Sequence, residues 1–171
     1  NLLTLKPILY ILNKKAGGKN LDEMNDPRFV QLLAYFKERG DHYVIVDAKI
    51  EEELNEFEGE EKKMFAEELG VTRDGIDDLI VAAYDLLGLA TFLTTGEDET
   101  RAWTIKKMST APVAGMAIHN DFKEKFIRAE VINWQTLLDA GSYGAAREKG
   151  LVRTEGKEYV VQDGDVIEFR I

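Results

Sequence analysis

A polar segment that could bind a small ligand follows the first apolar run of the chain. Asn13-Lys14-Lys15-Ala16 comes directly after Pro7–Leu12, a run whose pattern predicts a strand buried on both faces of a parallel sheet. Open parallel sheets bind ligands at the carboxyl ends of their strands. Asn13 and Lys14 are therefore candidate ligand-binding residues.

The sequence contains no phosphate-binding loop of the G-x-x-x-x-G-K-[S/T] type. Gly17-Gly18-Lys19 is too short for that motif and follows the wrong strand. We therefore expect no nucleotide hydrolysis by this chain alone, and we assign no catalytic residue.

His119 and Asp121 form an H-x-D pair, which could serve as metal ligands or as an acid and a base. Metal sites usually need three or four ligands, and the other histidine, His42, lies far away in the sequence. We favour a structural role, in which His119 caps the end of a short helix and Asp121 orders the next turn. No metal site is predicted.

A basic cluster surrounds the centre of the second half, with aromatic residues between its members. Its members are Lys106, Lys107, Lys123, Lys125 and Arg128, and the aromatic residues are Trp103, Phe122 and Phe126. The pattern could form a face that contacts RNA, or a solvated rim above core aromatic side chains. The neighbouring acids Glu97, Asp98 and Glu99 weaken the positive patch.

Composition limits the class of protein. The formal charge of −10 disfavours broad, sequence-independent nucleic-acid binding, which depends on neutralising phosphates. Residues 1–88 carry 11 basic against 19 acidic residues, so the acidic part comes first. The chain has no cysteine and no apolar run long enough to span a membrane, which favours an intracellular protein without a membrane partner. The start does not resemble a signal peptide, and it reads as if cut from something longer.

Hydrophobic patterns predict an α/β first part. The strand in Pro7–Leu12 is followed by a helix that Asp26-Pro27 starts and Gly40 ends, and then by a strand at His42–Val46. This order predicts a right-handed crossover in a parallel sheet. Acidic helical sequence runs from Glu51 to Leu69 with a break at Gly59, and a further helix over 75–88 should pack on the sheet. Two strands make a poor sheet, so we expect an exposed surface that favours self-association.

The second part has the patterns of a mixed sheet over a helix. Strands are predicted at Thr100–Ile105 and Phe126–Ile132, with a helix at Val113–His119 between them. Two short helices follow, at 134–138 and 143–147. The last strands, 159–161 and 166–169, are predicted to form a hairpin across an Asp-Gly turn.

The segments RAWTIKK, TAP, IHNDF, KFIRAEVI and GKEYVVQDGDVIEFRI together resemble the YchF/Obg-like ATPase family. The resemblance extends from Leu2 to Ile171. It implies the rear of a P-loop G domain, a partial parallel sheet, over 1–88, and a TGS domain of the ubiquitin-like β-grasp fold over 89–171.

The resemblance also implies a ligand and partners. Asn13 and Lys14 match the family's base-binding loop, and Asp47, Ala48 and Lys49 match its second base-contacting loop. The family has N-x-x-E in the first loop, which implies a preference for adenine, but this chain has Ala16 where the carboxylate is expected. A missing hydrogen-bond partner costs about 1 to 3 kcal/mol. Asp22 and Glu23 could supply it only through an unusual loop path.

Two functions remain open at this point. The first is a part of a cytoplasmic ATPase or GTPase, in which ATP or GTP binds with Mg²⁺ held by the N-terminal half, and the TGS domain contacts ribosome, RNA or protein. No cofactor is then expected to bind tightly to this chain. The second is a stand-alone, non-catalytic adaptor of the TGS type that binds RNA or protein.

Overall fold

The computed structural model describes residues 2–71, 75–96 and 99–171. The chain divides into two units, Asn1–Leu87 and Gly88–Ile171. The acids Glu97 and Asp98, predicted to weaken the basic patch, lie outside the described residues.

The described part of the first unit contains two strands and four helices, after a short 3-10 turn at Leu3–Leu5. In chain order these are β1 (Leu9–Asn13), α1 (Pro27–Arg39), β2 (His42–Val46), α2 (Ala48–Leu54), α3 (Gly59–Glu68) and α4 (Gly75–Leu87). β1 and β2 run parallel in a register from Leu9 opposite His42 to Asn13 opposite Val46. The predicted strand, helix and strand are confirmed, as is the packing of the last helix on the sheet.

Local sequence explains α1. The Asp26 carboxylate accepts from the Arg28 amide at its start, and Pro27 occupies the first turn. Gly40 ends the helix at φ 66°, a conformation that favours glycine. Phe36 is 3% exposed, and its ring centroid lies 4.9 Å from that of Tyr10 on β1. α1 therefore covers one face of the two-stranded sheet.

The prediction that β1 is buried on both faces is wrong. Ile8 and Ile11 are 52% and 53% exposed. Within the described residues, β1 pairs with β2 alone, so its other edge has no neighbouring strand. The acidic stretch forms two helices, as expected, but the first begins at Ala48 because Asp47 caps it.

The second unit is a five-stranded mixed sheet with short helices. Its elements are β3 (Leu89–Thr95), β4 (Thr100–Lys106), α5 (Ala111–Gly115), α6 (Asp121–Glu124), β5 (Arg128–Asn133), α7 (Trp134–Ala140), α8 (Tyr143–Glu148), β6 (Arg153–Glu155) and β7 (Asp165–Arg170). The strand order is β4-β3-β7-β5-β6, and only the β3–β7 pair is parallel. This is the order and direction of a β-grasp fold, as expected.

The core of this unit lies on one face of the sheet. Phe92, Val131 and Ile167 come from three strands and are at most 2% exposed, and they join the fully buried Ala111 and Ala114 of α5. A second, smaller cluster contains Ile132, Ala146 and Val166. The second cluster explains why α7 and α8 form where the sequence predicts helices.

Two predictions for this unit need correction, and two of its strands were missed. The predicted helix at Val113–His119 is the shorter α5, followed by turns and the separate α6. The predicted hairpin at the end is wrong, because β7 pairs with β3 and β5, while 159–161 bonds to the segment before α5 through Val161 N to Ser109 O (3.0 Å). β3 and β6 were not predicted.

Candidate functional site

The loops that follow β1 and β2 are tied together at the carboxyl ends of these strands. The side-chain Oδ1 of Asn13, the last residue of β1, accepts a hydrogen bond from the Ala48 backbone N–H at 3.1 Å. The Lys14 backbone N–H donates to the Val46 carbonyl at 2.7 Å. The parallel register places Asn13 opposite Val46, so both bonds follow directly from the strand pairing. Asn13 therefore fixes the second loop relative to the first.

Asp47 and Lys49 have their main contacts on α2. Asp47 Oδ1 accepts from the backbone N–H groups of Lys49 and Ile50, each at 3.2 Å, and so caps the helix. Lys49 Nζ lies 3.2 Å from Glu52 Oε2, and this hydrogen bond raises the pKa of the Lys49 ammonium. Both contacts are local to the helix that begins at Ala48.

Lys14 is held by two carboxylates from the following loop. Its Nζ lies 3.3 Å from Asp22 Oδ2 and also forms an ion pair with Glu23 Oε1. The hydrogen bond to Glu23 raises the pKa of Lys14, and partial burial opposes this shift. The Lys14 side chain is only 25% exposed, so its ammonium is held in place rather than extended into solvent.

Two neighbouring cavities open at this end of the sheet. The larger, about 530 Å³, is lined by Lys14, Glu23 and Asp47 among its polar groups, and by Ile45, Ile50, Leu69 and Val71 among its apolar ones. The smaller, about 410 Å³, is lined by Asn13, Lys14 and Asp22, with Phe29 and Leu32 of α1. Of the five predicted nucleotide-binding residues, Lys14 and Asp47 line the larger cavity and Asn13 the smaller. Ala48 and Lys49 line neither.

A buried carboxylate that the sequence did not reveal supports the wall of the larger cavity. Glu51 is 7% exposed, and its Oε1 accepts from the Gly75 backbone N–H at 2.7 Å. A Cβ added at Gly75 would lie 2.8 Å from this oxygen, so the contact requires glycine or a shift. Nothing in the sequence distinguishes Glu51 from its acidic neighbours, because the contact joins two helices 24 residues apart.

The predicted basic cluster of the second unit lies on several elements. Lys106 ends the edge strand β4, Lys123 lies in α6, and Arg128 begins β5. β3 and β7 lie between β4 and β5, so the sheet separates Lys106 from Arg128. Lys125 Nζ contacts Asp121 Oδ2 at 2.6 Å, which raises the pKa of the lysine and lowers that of the aspartate. Lys107 follows β4 directly.

The aromatic residues of this cluster do not form a stacking platform. Phe126 is 4% exposed, and Phe122 packs edge-on against Phe169 with centroids 5.6 Å apart. The Trp103 Nε1–H donates to Thr94 Oγ1 at 2.9 Å, and the Arg101 guanidinium lies 4.3 Å from its ring centroid. The interpretation of these side chains as part of the core and its rim is therefore the better one.

The prediction that His119 caps the end of the preceding helix is wrong. The His119 Nδ1 accepts from the Asp121 backbone N–H at 3.2 Å, at the start of α6. Among the described residues, no group of three or more His, Cys, Asp or Glu side chains is placed to hold a metal ion. None of the helices described has the length and apolar character needed to span a membrane.

Comparison with known proteins gives consistent matches. Residues 89–171 match the family model YchF-GTPase_C, described as a protein of unknown function (DUF933). The chain is 51% identical to the "Ribosome-binding ATPase YchF" of Bacillus subtilis and 42% identical to that of Haemophilus influenzae, each over 99% of this chain and 46% of the relative. The chain therefore spans about half the length of the curated relatives it matches.

The fold comparison agrees with the sequence comparison. The structure of the Schizosaccharomyces pombe YchF GTPase matches 99% of this chain and 44% of that protein, with a TM-score of 0.82 and 32% identity. The shared sequence and the shared fold lead to one conclusion: this chain belongs to the YchF family, of which it matches the C-terminal part.

Proposed function

We propose that the first unit supplies the base-binding end of a nucleotide site for ATP or GTP, as the rear part of a G domain. The observation that carries this proposal is the Asn13 Oδ1 to Ala48 N–H hydrogen bond, which holds the two loops together beside a cavity lined by Lys14 and Asp47. The relatives at 51% and 42% identity are named ATPases, which supports a nucleotide ligand.

The chemistry of the larger cavity suits a nucleoside better than a phosphate. Its polar lining contains four carboxylates, of Glu23, Asp47, Glu51 and Asp78, against two ammonium groups, of Lys14 and Lys15. A carboxylate accepts hydrogen bonds from base and sugar donors and repels phosphate anions. Apolar side chains such as Ile45 and Leu69 provide contacts for a flat base. In the whole protein, phosphate binding and Mg²⁺ coordination are then the work of other motifs, because this sequence contains no G-x-x-x-x-G-K-[S/T].

The test is an NMR titration of the ¹⁵N-labelled chain with adenosine, guanosine and inorganic phosphate at millimolar concentrations. We expect a nucleoside to shift the amide signals of Lys14, Ala48 and Lys49, and phosphate to leave them in place. Asn13→Ala should reduce the nucleoside shifts, because the loops lose the bond that joins them, whereas Asn55→Ala at the far end of α2 should not. Shifts caused equally by phosphate would contradict the proposal.

We further propose that the second unit, as a TGS domain, contacts a ribosomal partner, since the relatives are named ribosome-binding ATPases. Such a partner implies a cytoplasmic protein. Lys106, Lys107, Lys123, Lys125 and Arg128 are the cationic groups that could meet RNA phosphates. Co-sedimentation with ribosomes tests this. Lys123→Glu combined with Arg128→Glu should reduce the bound fraction, and Lys37→Glu on α1 should not; equal binding by all three proteins would reject this surface.

A further inference from the structure

The loop after β1 is closed by hydrogen bonds that bring Asp22 and Glu23 back to the end of the strand. Asn20 Oδ1 accepts from the Lys15 backbone N–H at 2.8 Å, and Asn20 Nδ2 donates to the Lys15 carbonyl at 3.2 Å. The Glu23 N–H then donates to the Asn20 carbonyl at 3.2 Å. The Asn20 side chain thus closes the loop on the Lys15 backbone, and this places Asp22 and Glu23 beside Lys14.

The two returning carboxylates face different cavities. Asp22 lines the smaller cavity beside α1, and its side chain is 21% exposed. Glu23 lines the larger cavity together with Asp47, and its side chain is 50% exposed. Both contact the Lys14 ammonium, so Lys14 lies between a shielded carboxylate and an accessible one. Ala16 lies within this loop and has no side-chain hydrogen-bond acceptor.

Glu23 is the acid of the larger cavity best placed to meet a ligand. The other carboxylates that line this cavity are those of Asp47, Glu51 and Asp78. Asp47 already accepts two backbone N–H groups of α2, and Glu51 is buried and accepts from Gly75. Asp78 of α4 also has an interaction within the chain. A carboxylate has about four lone-pair positions, so the bond from Lys14 to Glu23 Oε1 leaves acceptor capacity at the Glu23 carboxylate.

We propose that Glu23 is the specificity-determining residue of this site and accepts hydrogen bonds from the N–H donors of a purine base. The donors are the 6-amino group of adenine, or the N1–H and 2-amino group of guanine. Asp22 contacts Lys14 from the side of the smaller cavity and does not line the larger one, so it serves as the matched comparison. The inference rests on the proposed nucleoside site and adds to it the residue that recognises the base.

The experiment compares binding of three nucleosides to the 171-residue chain and two matched variants, by NMR titration. Adenosine and guanosine carry donors on the base, and purine riboside carries none. Glu23→Gln and Asp22→Asn each replace one carboxylate that contacts Lys14 with an amide of the same size. The measured quantity is the ratio of dissociation constants between purine riboside and the tighter of the other two nucleosides.

We expect the wild-type chain to bind adenosine or guanosine about tenfold more tightly than purine riboside, the value of one charge-assisted hydrogen bond. Glu23→Gln should bring this ratio to within about twofold of unity, and Asp22→Asn should retain it. If the wild-type chain binds no nucleoside, the proposed function itself fails. If the wild-type chain binds with the expected ratio and Glu23→Gln retains it, or Asp22→Asn loses it equally, only the assignment of Glu23 is overturned.

Discussion

Replacing Tyr159 by Phe tests a buried polar network that joins the edge and the centre of the β-grasp sheet. The Tyr159 hydroxyl donates to Asp165 Oδ2 at 2.7 Å and accepts from an Arg153 N–H at 3.1 Å. Asp165 begins the central strand β7 and is 2% exposed, and the Gln162 N–H is its other close donor, at 2.8 Å. The variant therefore removes one of two short hydrogen bonds to a buried carboxylate.

The cost follows from the charge of the acceptor. A hydrogen bond to a buried charged group contributes about 1.5 to 3 kcal/mol, so we expect Tyr159→Phe to lower the free energy of unfolding by about 2 kcal/mol. If the second unit unfolds cooperatively, this corresponds to roughly 8 to 16 °C in Tm for a unit of this size. Urea denaturation followed by circular dichroism, together with a thermal scan, measures both quantities.

Tyr143→Phe is the matched control in the same unit. The Tyr143 hydroxyl is buried and accepts or donates no hydrogen bond within the described part of the chain. Burying an unsatisfied hydroxyl is unfavourable, so its removal should leave stability unchanged or raise it by up to about 1 kcal/mol. Equal losses in the two variants would refute the reasoning, because they would show that the ring environment and not the hydrogen bonds determines the cost.

Three further predictions concern pH, a turn and the exposed strand. Burial and the Asp165 hydrogen bond raise the pKa of the Tyr159 hydroxyl from 10.0 to about 12. The stability that this hydroxyl contributes should therefore be fully present below pH 10 and be lost as the pH rises from 10 to 12. Urea midpoints measured over these pH values should fall less in Tyr159→Phe than in the wild-type chain. Gly164→Ala should lower the free energy of unfolding by at least about 2 kcal/mol, because φ is 79° and the new Cβ would lie 2.6 Å from Trp134 Cδ1. Gly156→Ala is the control, since a Cβ there meets nothing within 4 Å, and it should not destabilise the fold. Equal chemical denaturation curves for the two variants would contradict this prediction. Light scattering at high concentration should show self-association that Ile11→Lys reduces, since Ile11 is 53% exposed, and a monodisperse wild-type monomer would disprove it.

The sequence predicts the elements that short-range signals define. β2 is recovered at His42–Val46 because its apolar run is bounded by Gly40 and by the capping residue Asp47. The proximity of the loops after β1 and β2 could also be predicted, since the parallel register of the two strands places Asn13 close to Ala48. Each of these inferences needs only a local pattern and the geometry of one crossover.

Elements that depend on distant partners could not be predicted in the same way. A single residue, Gly88 at φ 61°, separates α4 from β3, so the apolar residues of β3 continue the helical pattern that ends at Leu87. The Asp-Gly turn before β7 indicates a hairpin, but pairing of Val166 with Leu93 and Ile132 places this strand in the centre of the sheet. Non-local pairing therefore overrides the local turn signal.

The approach of Glu23 to Lys14 was the least predictable part of the site. The two residues are nine positions apart in the sequence, and their contact depends on the hydrogen bonds between Asn20 and the Lys15 backbone, which close the loop. Asparagine is common in loops for many reasons, so its presence gives no specific signal.

Photo-crosslinking can test whether a nucleoside binds at the carboxyl ends of β1 and β2. The probes are 8-azidoadenosine and 8-azidoguanosine, and peptide mass spectrometry identifies the labelled residues. We predict labelled peptides from residues 14–23 or 69–71, with labelling blocked by excess unlabelled nucleoside. Label in residues 88–171, or label that excess nucleoside does not block, would contradict the proposed nucleoside site at the ends of β1 and β2.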